Sequence, residues 1–266
     1  VAGFTGFIKK FLNISPRTIY QDLTVKKDPH IFVPNGSQIY SGMQGQGKTL
    51  SMVYHGLHKI KPRYPRAILV TNLKLRDYSP VSYEEWKSDP EAFNPQKQYV
   101  SFETHHELMA VLKNVRNGEY GVIFMIDEIH NYFHSHDSKS MPMWVVQVFS
   151  QQRKQRLVVI GTVQDWEDVI KAIRRQIDNL IMCSRFGYLI RQTVIDPRSA
   201  ENNYGEVEYA VKKKGFFFIS DYVRNSYDTY QVINSGREIL GGDDLSIGVK
   251  VNTAEASSKM KKRWGR

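Results

Sequence analysis

The sequence predicts an α/β fold, a central mostly parallel sheet flanked by helices. Three observations carry this. A glycine-rich turn sits between a short strand and a helix. Two apolar runs, 121–126 and 157–162, are continuous rather than alternating, as in central strands buried on both faces. Segments of strand character alternate with segments of helical spacing along most of the chain.

The elements follow in order. Residues 38–41 read as a strand that enters the glycine-rich turn. Residues 48–57 carry apolar side chains at helical spacing. Residues 66–72 read as a second strand. Residues 73–98 are polar and interrupted by Pro80, Pro90 and Pro95, and read as an insertion holding a short helix. A helix is expected over 104–115, with His105 and His106 at its start, and then the apolar strand 121–126. A helix is expected over 141–152, with Pro142 near its beginning. The strand 157–162, a helix over 165–178 and a strand over 180–183 complete the core. After residue 186 the texture changes, and 188–195 and 205–219 read as strands around a turn. The domain reading is an N-terminal arm (1–36), a nucleotide-binding domain (37–236) and a basic tail (237–266). The middle part divides into a core (38–186) and a strand-rich extension (187–236).

Bulk properties narrow the function classes. The chain has 266 residues, 41% hydrophobic and 24% charged, with a formal charge of +10. That is globular in composition, and the basic balance suits nucleic acid or an anionic membrane surface. The single cysteine, Cys183, excludes an intrachain disulfide and reads as a buried small hydrophobe. No apolar run approaches the length of a membrane span. The first twelve residues are semi-amphipathic and lack the signature of a signal peptide; they fit an arm on the core or a segment lying on a membrane or neighbour.

The strongest motif is Gly42-Met43-Gln44-Gly45-Gln46-Gly47-Lys48-Thr49, followed by Leu50. It has the P-loop spacing between a strand and a helix. Glycines let the backbone wrap phosphates, and the N–H groups of the loop and helix start point at negative charge. Lys48 is expected to reach the β and γ phosphates of ATP, and Thr49 to place its hydroxyl on Mg²⁺. The run 123–126 ends in Asp127-Glu128, a Walker B pattern. Asp127 is expected to hold Mg²⁺, and Glu128 to act as the base that orients or deprotonates the attacking water. The acidic pair favours a hydrolase over a small-molecule kinase, which must keep water from the γ phosphate. Gln164, with Thr162 second, follows the strand beside Walker B and is the candidate sensor of the γ phosphate. Arg174, Arg175 and Arg185 form an unranked group from which one arginine would enter a neighbour's ATP site.

Other features are less specific. His130, His134 and His136 beside Asp137 read as a loop facing a substrate or neighbour, with a metal site as the alternative. Basic stretches at 151–156, at Lys212-Lys213-Lys214 and in the tail are candidate phosphate contacts. Phe216, Phe217 and Phe218 read either as base-stacking groups or, preferably, as a strand packed on the core.

With those residues in place, the chain resembles the zonular-occludens-toxin-like ATPases of phages and mobile elements, within the wider FtsK/HerA group of DNA-pumping ATPases. Four stretches carry the resemblance: 39–50, the strand ending in Thr71-Asn72-Leu73, 124–133, and Gln151-Gln152-Arg153 through Gln164 to Ile173-Arg174. They cover about 38–186, and Tyr227-Asp228-Thr229-Tyr230 resembles the end of the family's ATPase domain. The resemblance implies a ring, often a hexamer, that moves DNA through a pore or supports virion assembly and export. A viral capsid or membrane protein is then a possible partner. The implied location is the host cytoplasm, on the virion, or at the periphery of a membrane. Filamentous-phage members carry a membrane span after the ATPase domain, and no run of that length occurs here. The expectation therefore turns to genome packaging or DNA translocation, with an assembly or secretion ATPase and a nucleotide-binding scaffold as alternatives.

Overall fold

The computed structural model describes residues 31–33, 36–198 and 211–228. All of these belong to one compact unit. Residues 1–30, 199–210 and the basic tail 237–266 lie outside the described residues, as do Thr229 and Tyr230.

Nine strands form one sheet. They are β1 (Gln38–Ser41), β2 (Ile68–Thr71), β3 (Ser79–Ser82), β4 (Gln98–Ser101), β5 (Val122–Ile126), β6 (Leu157–Val163), β7 (Asn179–Phe186), β8 (Leu189–Ile195) and β9 (Val211–Phe218). Their order across the sheet is β3-β4-β2-β5-β6-β1-β7-β8-β9. Pairing is parallel from β3 through β7 and antiparallel from β7 to β9. Strand β6 lies between β5 and β1, so the two motif-bearing strands are separated by the strand that leads to Gln164. This is the mostly parallel α/β sheet the alternation of elements predicts.

The continuous apolar runs have a physical cause in two-sided burial. Every residue of β5 and β6 is buried. Phe124 and Ile126 pack on one face with Leu108, Val111 and Phe149. Ile123 and Met125 point to the other face, into a cluster with Leu50, Met52 and Val53. Helix α1 (Lys48–His55) covers this second face and continues into a wider turn over Gly56–Ile60. Helices α2 (Tyr83–Ser88), α3 (His105–Asn114) and α4 (Met143–Ser150) lie with the first cluster. Both α2 and α3 begin with a reciprocal capping box, Ser82 with Glu85 and Thr104 with Glu107. These satisfy backbone donors that would otherwise lack partners.

Two expectations are corrected. The polar stretch 73–98 holds the expected short helix, α2, but it is not an insertion, because β3 and the start of β4 extend the parallel sheet to its edge. Strand β3 is exposed and contains Pro80, which an edge strand tolerates because one side needs no ladder donor. The helix expected over 165–178 is instead a 3-10 turn (Trp166–Asp168) and a single-turn helix α5 (Lys171–Arg174). A tertiary pairing breaks the helix. Val169 bridges His134, and the Ile170 N–H donates to the Phe133 carbonyl at 3.0 Å. A further one-turn helix, α6 (Asp221–Arg224), follows β9.

Candidate nucleotide-binding site

The site forms at the carboxyl ends of the central parallel strands β1, β5 and β6. The turn after Ser41 is left-handed at Gly45 (φ 80°) and Gly47 (φ 81°), a conformation that L side chains rarely adopt. A side chain at Gly42 would also meet the Cys183 carbonyl, 2.8 Å from its Cβ position. The loop therefore needs glycine both for backbone shape and for its close seat against β7.

Lys48 begins α1 and folds back into the loop, where Nζ donates to the Gly42 carbonyl at 2.8 Å and to the Met43 carbonyl at 3.2 Å. Burial lowers its pKa, and the carboxylates of Glu128 and Asp127 oppose that shift. The next residue, Thr49, donates from Oγ1 to Asp127 Oδ1 at 2.9 Å. The same Oδ1 accepts the Thr162 hydroxyl. The P-loop and Walker B motifs, 78 positions apart in sequence, are thus joined by one hydrogen bond. Asp127 is 7% exposed. Burial raises its pKa, and the hydrogen bonds from Thr162 and Thr49 pull it back. A hydroxyl and a carboxylate brought together in this way form the hard-oxygen set that suits Mg²⁺.

Glu128 lies outside the regular strand. Its backbone is left-handed (φ 51°, ψ 56°), which costs a non-glycine residue roughly 1–2 kcal/mol. Several bonds hold it there. Its N–H donates to Thr162 Oγ1 at 2.8 Å. Its carboxylate accepts from Gln164 Nε2 and from Asn131 Nδ2, each at 3.3 Å. Gln164 is also tied to the P-loop strand, because its carbonyl accepts the Ser41 hydroxyl at 3.3 Å.

The structure thus brings together Lys48, Thr49, Asp127, Glu128, Thr162 and Gln164. It separates the arginines. Arg174 and Arg185 line a cavity of about 620 Å³ beside the P-loop, together with Gly42, Met43, Gln46 and Gln164. The Arg174 guanidinium lies 5.9 Å from the centre of the Trp166 ring. The Arg185 backbone N–H donates to Gln46 Oε1 at 2.7 Å. Arg175 instead lines a cavity with Gly36, Asp178 and Lys212 at the opposite ends of the strands. His134 and His136 stack on one another with ring centres 4.8 Å apart. Among the described residues no group of His, Cys, Asp or Glu side chains converges to hold a metal ion. Cys183 is buried, and its thiol is pushed up to about 11 by desolvation.

Sequence reasoning overlooked Asn72 as a site residue. It directly follows β2, and its amide brackets the Walker B backbone. Nδ2 donates to the Asp127 carbonyl and Oδ1 accepts the Asp127 N–H, both at 2.9 Å. The usable signal is an amide side chain directly after an apolar strand that neighbours the Walker B strand. Asn131, which holds the other Glu128 oxygen, carries no such signal.

A sheet with β6 inserted between the P-loop strand and an acidic-ended β5, with Thr49 and Asp127 in contact, defines a P-loop NTPase of RecA-like form. The family model described as zonular occludens toxin (Zot) matches residues 37–213, and the chain belongs to that family. No curated protein matches the sequence. Among solved structures, the N-terminal domain of zonular occludens toxin from Neisseria meningitidis is similar at 18% identity. That match covers 73% of this chain and 100% of the other, with a TM-score of 0.48. The genome packaging NTPase B204 from Sulfolobus turreted icosahedral virus 2, solved with ATP-gammaS, is similar at 12% identity. It covers 72% of this chain and 98% of the other, again with a TM-score of 0.48. Among the described residues no helix is long and apolar enough to cross a membrane.

Proposed function

We propose that this chain is a Mg²⁺-dependent ATPase that works as an oligomeric ring, most simply a hexamer, to translocate or package DNA. The observation that supports hydrolysis best is the joined pair of motifs. Thr49 and Asp127 meet at 2.9 Å, while Glu128 is held beside them by Thr162, Gln164 and Asn131.

The loop from Gly42 to Thr49, with Leu50 behind it, cradles the phosphates of ATP. Lys48 exchanges its loop carbonyls for phosphate oxygens. Thr49 and Asp127 would hold Mg²⁺, which supplies charge neutralisation on the β and γ phosphates. Glu128 orients a water and takes its proton as the water oxygen bonds to the γ phosphorus and the bond to the ADP oxygen breaks. Gln164, bridging Glu128 and Ser41, reports whether the γ phosphate is present. One arginine from the group Arg174, Arg175 and Arg185 acts on ATP held by a neighbour; Arg174 and Arg185 line the cavity beside this chain's own P-loop, whereas Arg175 lies at the opposite strand ends. The DNA-directed reading draws on family membership, the name of the packaging NTPase it resembles, and the net charge of +10.

The test is the steady-state ATPase rate with and without single- and double-stranded DNA, for the native chain and Glu128→Gln. The expected result is DNA-stimulated turnover that falls by roughly 10²–10⁴-fold in the variant, with ATP binding retained. Turnover indifferent to DNA would redirect the work to a capsid or membrane partner.

A further inference from the structure

Among the described residues, the antiparallel wing β7–β8–β9 has one face that carries exposed aromatic rings, and its β7 members Met182, Ser184 and Phe186 border the cavity beside the P-loop. In antiparallel pairs, directly opposed residues share a face. The register gives three rows across the wing: Phe186, Leu189 and Phe218; Ser184, Arg191 and Phe216; Met182, Thr193 and Lys214. On the opposite face, Cys183, Ile190 and Phe217 are buried, and Phe217 stacks on Tyr54 of α1 at 4.7 Å. The phenylalanine triplet therefore splits. Phe217 belongs to the core, whereas Phe216 is 63% and Phe218 is 77% exposed. Phe186 is also 63% exposed.

Charge on the wing has one sign. The three strands contain Arg185, Arg191, Lys212, Lys213 and Lys214 and no aspartate or glutamate. Arg191 is exposed in the same row as Phe216, and Lys214 is exposed in the next row on that face. A purely apolar partner would leave these cations desolvated and unpaired. A duplex would present phosphates to the cations but no open base faces to the rings. An unpaired strand supplies both, with phosphates for Arg191 and Lys214 and base faces for Phe216, Phe218 and Phe186.

We propose that this face of β7–β9 binds single-stranded nucleic acid by stacking bases on Phe216 and Phe218 and pairing phosphates with Arg191 and Lys214. The proposal rests on the reading of the chain as a nucleic-acid-directed ATPase and gives that reading a surface. The wing also touches the nucleotide site directly, through the Arg185 N–H on Gln46 and the Cys183 carbonyl against Gly42.

The experiment measures binding of a short labelled single strand and of its duplex by fluorescence anisotropy, with ATPase rate, melting temperature and solution mass recorded for each protein. The variants are Phe216→Leu with Phe218→Leu, which keeps apolar bulk, Phe216→Tyr with Phe218→Tyr, which keeps the rings, and Lys214→Gln. The leucine pair is expected to bind single strands at least tenfold more weakly. The tyrosine pair is expected to bind as the native chain does. Lys214→Gln is expected to lower the slope of log affinity against log salt by about 0.7. Basal ATPase rate and melting temperature should stay unchanged in all three. Native-like binding by the leucine pair would overturn the surface while leaving the DNA-directed reading intact. So would preference for duplex that the leucine pair does not alter, or a fall in solution mass, which would make the face a contact between copies. A native chain that hydrolyses ATP yet neither binds nor responds to any nucleic acid would remove the reading and the surface together.

Discussion

Thr162 does more than cap a strand. Its hydroxyl donates to Asp127 and accepts the N–H of Glu128, so one oxygen fixes both acids. Thr162→Val keeps the shape and removes both bonds, leaving the backbone donor of Glu128 without its acceptor. The expected cost is about 1–3 kcal/mol of stability. ATPase loss should be much larger than any loss of ATP affinity, because Lys48 and the loop are untouched; Thr162→Ser should restore the rate. Denaturant unfolding and kcat separate the two effects. His55 offers a pH test. Burial first, and Lys59 second, lower its pKa from 6.5 to about 4. The folded state therefore resists protonating it, so the associated stability is fully present above pH 6.5 and is lost as pH falls toward 4. The full effect is on the order of 3 kcal/mol. His55→Gln should flatten the decline in melting temperature between pH 7 and pH 4.5 relative to the native chain.

At the scale of elements, the site was far more legible than the edges. The P-loop, Walker B and Gln164 are each written within a few consecutive residues, with a strand before them, so local pattern suffices. Strands β3 and β4 have four residues each, and β3 is polar and contains Pro80. Their pairing is decided by neighbours rather than by their own sequence. The same holds at Ile170, whose N–H is taken by Phe133 and so withdrawn from the helix that its flanking residues favour. The arginines illustrate the limit from another side. Arg174 and Arg175 are adjacent in sequence, yet one lines the P-loop cavity and the other a cavity at the far strand ends. Lys61 shows a contact that no pattern announces. It is 4% exposed and donates to the carbonyls of Pro65, Ala67 and Pro95 at 3.0, 2.6 and 2.6 Å. This pins the segment before β4 to the end of the P-loop helix. Lys61→Met removes three hydrogen bonds, one to a buried carbonyl and two to part-buried ones, and should destabilise the fold by roughly 1–3 kcal/mol, read as a lower urea midpoint with catalytic constants little changed at low temperature.

For the whole molecule, a ring with shared sites makes a prediction that no single chain can satisfy. If Arg185 of one copy serves ATP bound by the next, Glu128→Gln and Arg185→Ala damage different halves of each shared site. Mixing the two inactive variants should then recover a measurable part of native ATPase activity, since some interfaces combine an intact Glu128 with an intact Arg185. Two copies that each complete their own site would show no recovery on mixing. Specific activity of the native chain should also rise with protein concentration until assembly saturates.

Strand β7 is shared by the two halves of the sheet, paired in parallel with the P-loop strand on one side and antiparallel with the wing on the other. The rows that carry Phe216 and Phe218 reach the seat of Gly42 through two hydrogen-bonded ladders, β9–β8 and β8–β7. A pull on the wing is thus delivered as torsion of a stiff plate rather than slack in a tether. The consequence is mechanical reciprocity. If the proposed strand binds the wing, strain it imposed at the rim would reach Gly42 and Gln46 through these contacts, and reshaping of the loop during turnover would travel back along the same path.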